Sequence, residues 1–565
     1  MVATGLVCGR SAGSANSQHS RLDHSRPNAG WTVEKRYHTL LFSIFYAAAA
    51  MSVIYLLTSG GLGVSYDSEN YLVMAERFVQ HQWAQTFNPV WPPLYPLSIA
   101  AIEYTGLALS LGAARIVSVL SYVVLVVAVF LLGLRLQGRF TAHLGAISML
   151  SLASVLYVYC FCWSETMYIM FSVLFFLSLA VFLIRPPSAK RNHYLLAAAV
   201  CAGLATVARF IGFSLVGTGI LSILLCGGHQ PRSRRIKGTL VFTLIACAPV
   251  CMHYLACFLS YGLAGKTQFP SSYTFWQQLW QLLSTIHGDL LSFDLNFWGY
   301  SFFLQWGSLA FWLKLAVLAA ALALLVMFVR SPALPLEEKI SFRPHAAILF
   351  YFVIYSAILL YVGSAVAVDP IGSRFAAPLY PLILLLALSA AMHAYRSISR
   401  TRAKSVALVS IVLCVAAFWT IQVSSTLSIY RGVSSGSFPA MEHPGNLNRA
   451  SLRFLKENAE STDIIITNVS RKLSYIWPRS LVYPYIPKEN WSTARDDLMY
   501  EASQRTVYVL VCTADYAPLG ITVEDVEQTS RKLGVFLPRN DFGNDVIFKS
   551  KHVVFRRPGN WQELQ

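Results

Sequence analysis

Two carboxylates, Asp67 and Glu69, stand just past the first long apolar run, inside Ser65-Tyr-Asp-Ser-Glu-Asn-Tyr71. A carboxylate at such a boundary, close to aromatic residues, can serve as a general base. It can also coordinate a cation or cap the helix that follows, and Asp67 is well placed as an N-cap. Glu165 opens a later apolar run, in Trp163-Ser-Glu-Thr-Met-Tyr168. An ionisable group near membrane depth faces protein or a water-filled cavity, so Glu165 reads as a structural hydrogen-bonding group or as a substrate contact. Arg209 falls between two short apolar runs, where it pairs with a carboxylate or a phosphate. Arg374 begins a late apolar run and can snorkel to the membrane interface. Lys266 lies in a loop, where a solvated charge is the plain reading. His287, Asp289 and Asp294 cluster in sequence without the ligand spacing of a metal site.

The elements that must position these groups are read from composition. Of 565 residues, 55% are apolar and 13% charged, and the mean hydropathy is +0.52. No soluble core hides that much apolar surface, whereas a bilayer does. The 44 Lys and Arg outnumber 27 Asp and Glu, but they sit in short runs between apolar segments, as topology signals do, so nucleic acid is not an expected partner. The ten cysteines give no disulfide framework; most fall in or beside apolar stretches. No cleavable signal peptide is evident; residues 1–38 read as a polar, disordered cytoplasmic tail before an uncleaved anchor.

Taking roughly 20 apolar residues per crossing, about eleven transmembrane helices are expected. They lie near 39–58, 112–134, 141–161, 164–184, 194–208, 210–226, 238–260, 305–329, 346–366, 375–394 and 405–423. Basic residues fill every second connection: Lys35 and Arg36, Arg135 and Arg139, Arg185 to Arg191, Arg232 to Lys237, Arg330 to Arg343, and Arg396 to Lys404. The N-terminus is therefore expected in the cytoplasm. The transmembrane domain, 39–423, carries long external loops at 59–111 and 261–304 with amphipathic, aromatic stretches. Residues 424–565 read as a small soluble α/β domain on the outer face. Its strands are expected at Asp463–Asn468 and Thr506–Cys512, its helices ending at Leu452–Ala459 and spanning Thr522–Leu533, and a terminal hairpin at Asp545–Phe555.

The order of several motifs carries a resemblance. A carboxylate after the first helix, then Tyr71, an amphipathic helix with Ala75, and Trp91-Pro-Pro-Leu-Tyr-Pro96 are similar to the first external loop of the C-type (GT-C) glycosyltransferases. These are membrane enzymes that use polyprenyl-phosphate sugars, the protein O-mannosyltransferases and lipid A aminoarabinose transferases among them. Trp163-Ser-Glu, the paired short helices around Gly203-Leu-Ala-Thr-Val-Ala-Arg-Phe-Ile-Gly212, and Asp369-Pro-Ile-Gly-Ser-Arg-Phe-Ala-Ala-Pro-Leu-Tyr-Pro381 resemble later motifs of that superfamily, so the likeness covers about residues 40–400. The chain departs in having Asp67-Ser-Glu69 where the mannosyltransferases carry adjacent acids, and Phe375 where Tyr is usual.

The resemblance implies an inverting transfer of a sugar from a polyprenyl-phosphate donor to a glycan, lipid or protein acceptor. Asp67 is then the first choice of base and Glu69 the second. Arg374 becomes the clamp on the departing phosphate, with Lys266 a weaker candidate; Glu165, Arg209 and Tyr71 become substrate contacts. No resident cofactor is implied. Some relatives use a divalent cation and others do not. A bacterial inner membrane is the expected setting. Two other readings compete: a transporter or flippase, which favours internal repeats not found here, and a scaffold whose external domain binds glycan or a partner.

Overall fold

The computed structural model describes residues 33–82, 86–87, 89–108, 110–185, 189–227, 231–261, 273–291, 336–365, 371–398 and 401–435, with five strands beyond them. The chain divides into units 1–45 and 46–565. Helix α1, Val33–Leu57, begins in the first unit, where His38 and Phe42 pack with ring centroids 4.5 Å apart. Everything below belongs to the second.

Two short helices follow, α2 (Tyr66–Val79) and α3 (Leu94–Tyr104), the latter started by the Pro92-Pro93 pair. Then come α4 (Ser110–Leu136), α5 (Arg139–Ser151), α6 (Ala153–Tyr159), α7 (Glu165–Ile184), α8 (Ala189–Ala208), a 3-10 turn (Phe210–Gly212), α9 (Phe213–Cys226) and α10 (Arg232–Tyr261). Further on are α11 (Phe275–Leu291), α12 (Leu336–Ala365), α13 (Ser373–Ala376), a 3-10 turn (Ala377–Leu379), α14 (Tyr380–Ser397) and α15 (Thr401–Ser435).

Among the described residues seven helices are long and apolar enough to cross a membrane, or eight when the bent pair α5–α6 counts as one crossing. The expected short pair at 194–208 and 210–226 is helical as α8 and α9 but falls short of a full apolar crossing; the expected span 305–329 lies outside the described residues. Helix α7 is central, most of its residues buried against α4, α8, α9 and α12. By contrast α15 leaves Val406, Val409, Val412 and Leu413 exposed, as a lipid-facing helix must.

The expected single span at 141–161 is broken by 57° between α5 and α6. Freed backbone groups there need partners inside the bilayer. Gln422 accepts from the Ala153 amide at 3.0 Å, Thr426 donates to the Ser151 carbonyl at 3.1 Å, and Tyr122 donates to the Met149 carbonyl at 2.7 Å.

After α15 the described strands are β1 (Ile464–Thr467), β2 (Leu481–Pro484), β3 (Thr506–Cys512), β4 (Arg539–Phe542) and β5 (Asp545–Lys551). They form a mixed sheet of order β2-β1-β3-β5-β4. Strand β1 runs parallel to β2 and β3; β5 runs antiparallel to β3 and β4. Among the described residues the hairpin is β4–β5, so the segment expected to form it from Asp545 supplies its second strand, and residues 552–555 lie outside the described residues. The two expected helices of this region, and the first 32 residues, lie outside the described residues.

Candidate active site

Four charged side chains meet at one end of the bundle, and each sits where a helical segment begins. Asp67 is the second residue of α2, Glu165 the first of α7, Arg209 precedes the turn into α9, and Arg374 is the second of α13. Helix N-termini carry partial positive charge. The two acids suit that field; the two arginines oppose it unless anions stand beside them.

The segment leading into α2 is stitched to the start of α7. The Gly63 amide donates to the Cys160 carbonyl at 2.8 Å, and the Cys162 amide to the Gly63 carbonyl at 2.9 Å. Trp163 Nε1 donates to Ser65 Oγ at 2.7 Å, Tyr71 and Ser164 share a hydroxyl contact of 2.8 Å, and the Tyr95 hydroxyl donates to Cys162 Sγ at 3.5 Å. These links bring Asp67 level with Glu165. The N-cap of α2 is Ser65, whose amide donates to Ser68 Oγ at 2.9 Å. The capping role expected of Asp67 is thus filled by Ser65, and the Asp67 carboxylate is released to the site.

Arg209 is set by the break between α8 and α9, where Gly212 packs so closely that a Cβ would lie 2.5 Å from the Ala205 carbonyl carbon. Its guanidinium pairs with Glu165 Oε1. Arg374 donates through Nε to Glu165 Oε1 and through Nη2 to Asp67 Oδ2. Its guanidinium also lies over the Trp163 ring, 4.6 Å from the centroid, a cation–π contact. Both arginines lie 5.6 Å from the Phe375 ring centroid, so the residue that departs from the superfamily's tyrosine lines the cluster. Glu165 is enclosed, its side chain 2% exposed; Asp67, at 21%, is the more accessible acid.

Behind Arg374 stands a residue the sequence reading set aside. Asp289, near the end of α11, accepts from Ser373 Oγ at 2.8 Å and from the Tyr380 hydroxyl. Its own carbonyl accepts from Gln422 at 3.1 Å. Burial pushes the Asp289 carboxyl up to about 6, against the bonds from Tyr380 and Ser373, which pull it down. The Tyr355 hydroxyl donates to the Phe375 carbonyl at 2.6 Å, fixing the other side of α13. Trp163 was legible as part of a motif, but nothing in the sequence joined it to Arg374.

The other candidates stand differently. Tyr71 is 2% exposed and spends its hydroxyl on Ser164, so it braces the acids from behind. Burial holds its phenol well above the ordinary tyrosine range. Glu69 lies in the first turns of α2, with its side chain outside what the structure describes; Lys266 and Asp294 lie outside the described residues. Among the described residues no three His, Cys, Asp or Glu side chains group to hold a metal ion.

No family model and no curated protein matches the chain. Solved structures do. ArnT from Cupriavidus metallidurans in the apo state aligns with a TM-score of 0.57 and 12% identity, over 91% of this chain and 98% of that one. ArnT bound to undecaprenyl phosphate aligns with 0.57 and 13%, over 90% and 98%. The archaeal oligosaccharyltransferase AglB from Archaeoglobus fulgidus, in complex with an inhibitory peptide and a dolichol-phosphate, aligns with 0.50 and 12%, over 89% and 73%. The chain has the C-type glycosyltransferase fold. At this identity the likeness is one of fold; what the C-type scaffold here presents must be read from its own four charges. They sum to zero, and they place two guanidiniums and one accessible carboxylate at the positive ends of helices, an arrangement suited to an anion and a nucleophile together.

Proposed function

We infer that the chain is an inverting glycosyltransferase that moves a sugar from a polyprenyl-phosphate donor to an acceptor at the outer membrane face. The observation that carries this reading is the convergence of Arg374 and Arg209 with Asp67 and Glu165 at one end of a C-type fold. That neighbours of the same fold are bound to undecaprenyl phosphate and dolichol-phosphate supports the donor class.

The donor phosphate enters beside Arg374 and competes with the carboxylates for its five N–H donors. As the guanidinium turns to the phosphate, Asp67 is freed. The acceptor oxygen or nitrogen attacks the anomeric carbon from the face opposite the phosphate. The bond from that carbon to the phosphate oxygen breaks, and its electron pair leaves with the phosphate. Asp67 takes the acceptor's proton, and Arg374 and Arg209 neutralise the charge gathering on the leaving group. Glu165 holds both arginines in register. Glu69 is the second candidate for the base, and Lys266 the weaker candidate for the phosphate clamp. In this reading residues 1–38 are cytoplasmic, 39–423 hold about eleven helices with external loops at 59–111 and 261–304, and 424–565 form an external domain that selects the acceptor.

The test is transfer and binding by the purified chain with a panel of polyprenyl-phosphate and nucleotide sugars. One lipid-phosphate sugar should bind, Arg374→Ala should abolish binding, and Asp67→Asn should bind but transfer roughly 100-fold or more slowly. Transfer at the wild-type rate by Asp67→Asn removes it as the base. Binding to no lipid-phosphate sugar removes the reading.

A further inference from the structure

At the far end of the same helices is a second feature. A groove of about 320 Å³ lies among the end of α7 and the starts of α8 and α10. From Glu165 to Phe182, which lines it, α7 rises roughly 25 Å, so the groove is remote from the four-charge site. Its mouth carries Asn192, Arg234 and Lys237; its walls are apolar, with Leu195, Val241 and Ile245. From Arg234 to Ile245 α10 rises about 16 Å, close to the depth of one leaflet's hydrocarbon. Val241 is 51% exposed, so the wall is open sideways.

The charges at the mouth are not absorbed by the fold. Arg235, between them in sequence, donates to the Leu224 carbonyl and is tied to α9. Arg234 and Lys237 are exposed, and no described carboxylate pairs with either. A polar, cationic mouth over an apolar slot of leaflet depth matches a lipid with an anionic head and an acyl chain.

The geometry points to a binding site for an anionic glycerophospholipid at this groove, with the phosphate on Arg234 and Lys237 and one acyl chain along α8 and α10. It is independent of the transferase reading, since none of its residues touches the four charges. The occupant comes from the leaflet at this end of the bundle, and the charge at the mouth selects it from neutral lipids. Gly238 lies between mouth and wall; a Cβ there makes only ordinary contacts, 3.7 Å from Leu195, so a larger side chain fills the slot without disturbing either charge.

The experiment is native mass spectrometry of the full chain released from nanodiscs of phosphatidylglycerol or phosphatidylcholine. Wild type should retain phosphatidylglycerol in preference to phosphatidylcholine. The double variant Arg234→Gln with Lys237→Gln should lose that preference by roughly 25-fold, about fivefold for each basic residue at a membrane surface. Gly238→Leu, which keeps both charges, should lower retention of the bound lipid while leaving melting in detergent unchanged. Equal retention of the two lipids by wild type overturns the site, as does undiminished phosphatidylglycerol retention in both variants. One-for-one displacement of the retained lipid by a polyprenyl phosphate would also overturn it, by giving the groove to the donor.

Discussion

Glu165→Gln tests the electrostatic logic of the site more directly than any loss of activity. Its side chain is 2% exposed and pairs with Arg209 and Arg374, themselves 20% and 11% exposed. With Asp67 the cluster is neutral; the substitution leaves two enclosed guanidiniums against one carboxylate. Breaking one side of a buried pair costs about 3–5 kcal/mol. The amide oxygen still accepts one hydrogen bond, worth about 1 kcal/mol. The net loss is then about 2–4 kcal/mol, which in a chain of 565 residues lowers the melting temperature of the detergent-solubilised protein by roughly 2–3 °C. The site has also gained one uncompensated positive charge and lost a competitor for Arg374. A polyprenyl phosphate should therefore bind the variant more tightly than wild type and raise its melting temperature by the larger increment, following RT ln(1 + [L]/Kd). The assay is thermal unfolding with and without the lipid phosphate, at constant detergent and salt. A variant that melts within a degree of wild type would mean that Glu165 carries no such load. A smaller lipid-induced shift in the variant would refute the idea that carboxylate and phosphate compete for the same guanidiniums.

Arg374→Lys keeps a charge but loses the planar fork that serves Asp67, Glu165 and a phosphate together; steady-state transfer should fall roughly 100- to 1000-fold. The raised Asp289 carboxyl makes stability fall with rising pH: the folded state holds its proton up to about 6 against an ordinary 3.8, so stability present below about 4 is lost through about 6. The loss is about 3 kcal/mol, and melting curves of Asp289→Asn should lack that component between these pH values. Gly212→Ala drives a Cβ into the Ala205–Thr206 backbone and should cost about 1–3 kcal/mol, with donor binding falling alongside as Arg209 is displaced; a variant matching wild type in both melting and binding would show that Arg209 is not set by this turn.

The four charges of the site were legible because each breaks an apolar context, and a charge at membrane depth is rarely kept without a use. Asp67, Glu165, Arg209 and Arg374 could be named one by one, and the bundle that holds them followed from apolar length. Their pairing could not be read. Arg374 meets Asp67 across 307 residues and Glu165 across 209, and no local spacing encodes such contacts. The break at Leu152 was hidden for the same reason: 141–161 contains no proline and no Asp, Glu, Lys or Arg, and the groups that accept the break, Gln422 and Thr426, lie on a helix about 270 residues later. Asp289 was considered only as a metal ligand, because its partners Ser373 and Tyr380 arrive 84 and 91 residues downstream. Ser65 displaced Asp67 as the cap, and that substitution is what makes the site. A capping carboxylate is spent on backbone amides, whereas Asp67, two residues past the cap, reaches Arg374. The two arginines at positive helix ends stand only because two acids stand among them, and the acids are held only by the arginines. An entering phosphate disturbs that balance by replacing one anion with another, at little electrostatic cost, and the carboxylate it releases is the one left open to water.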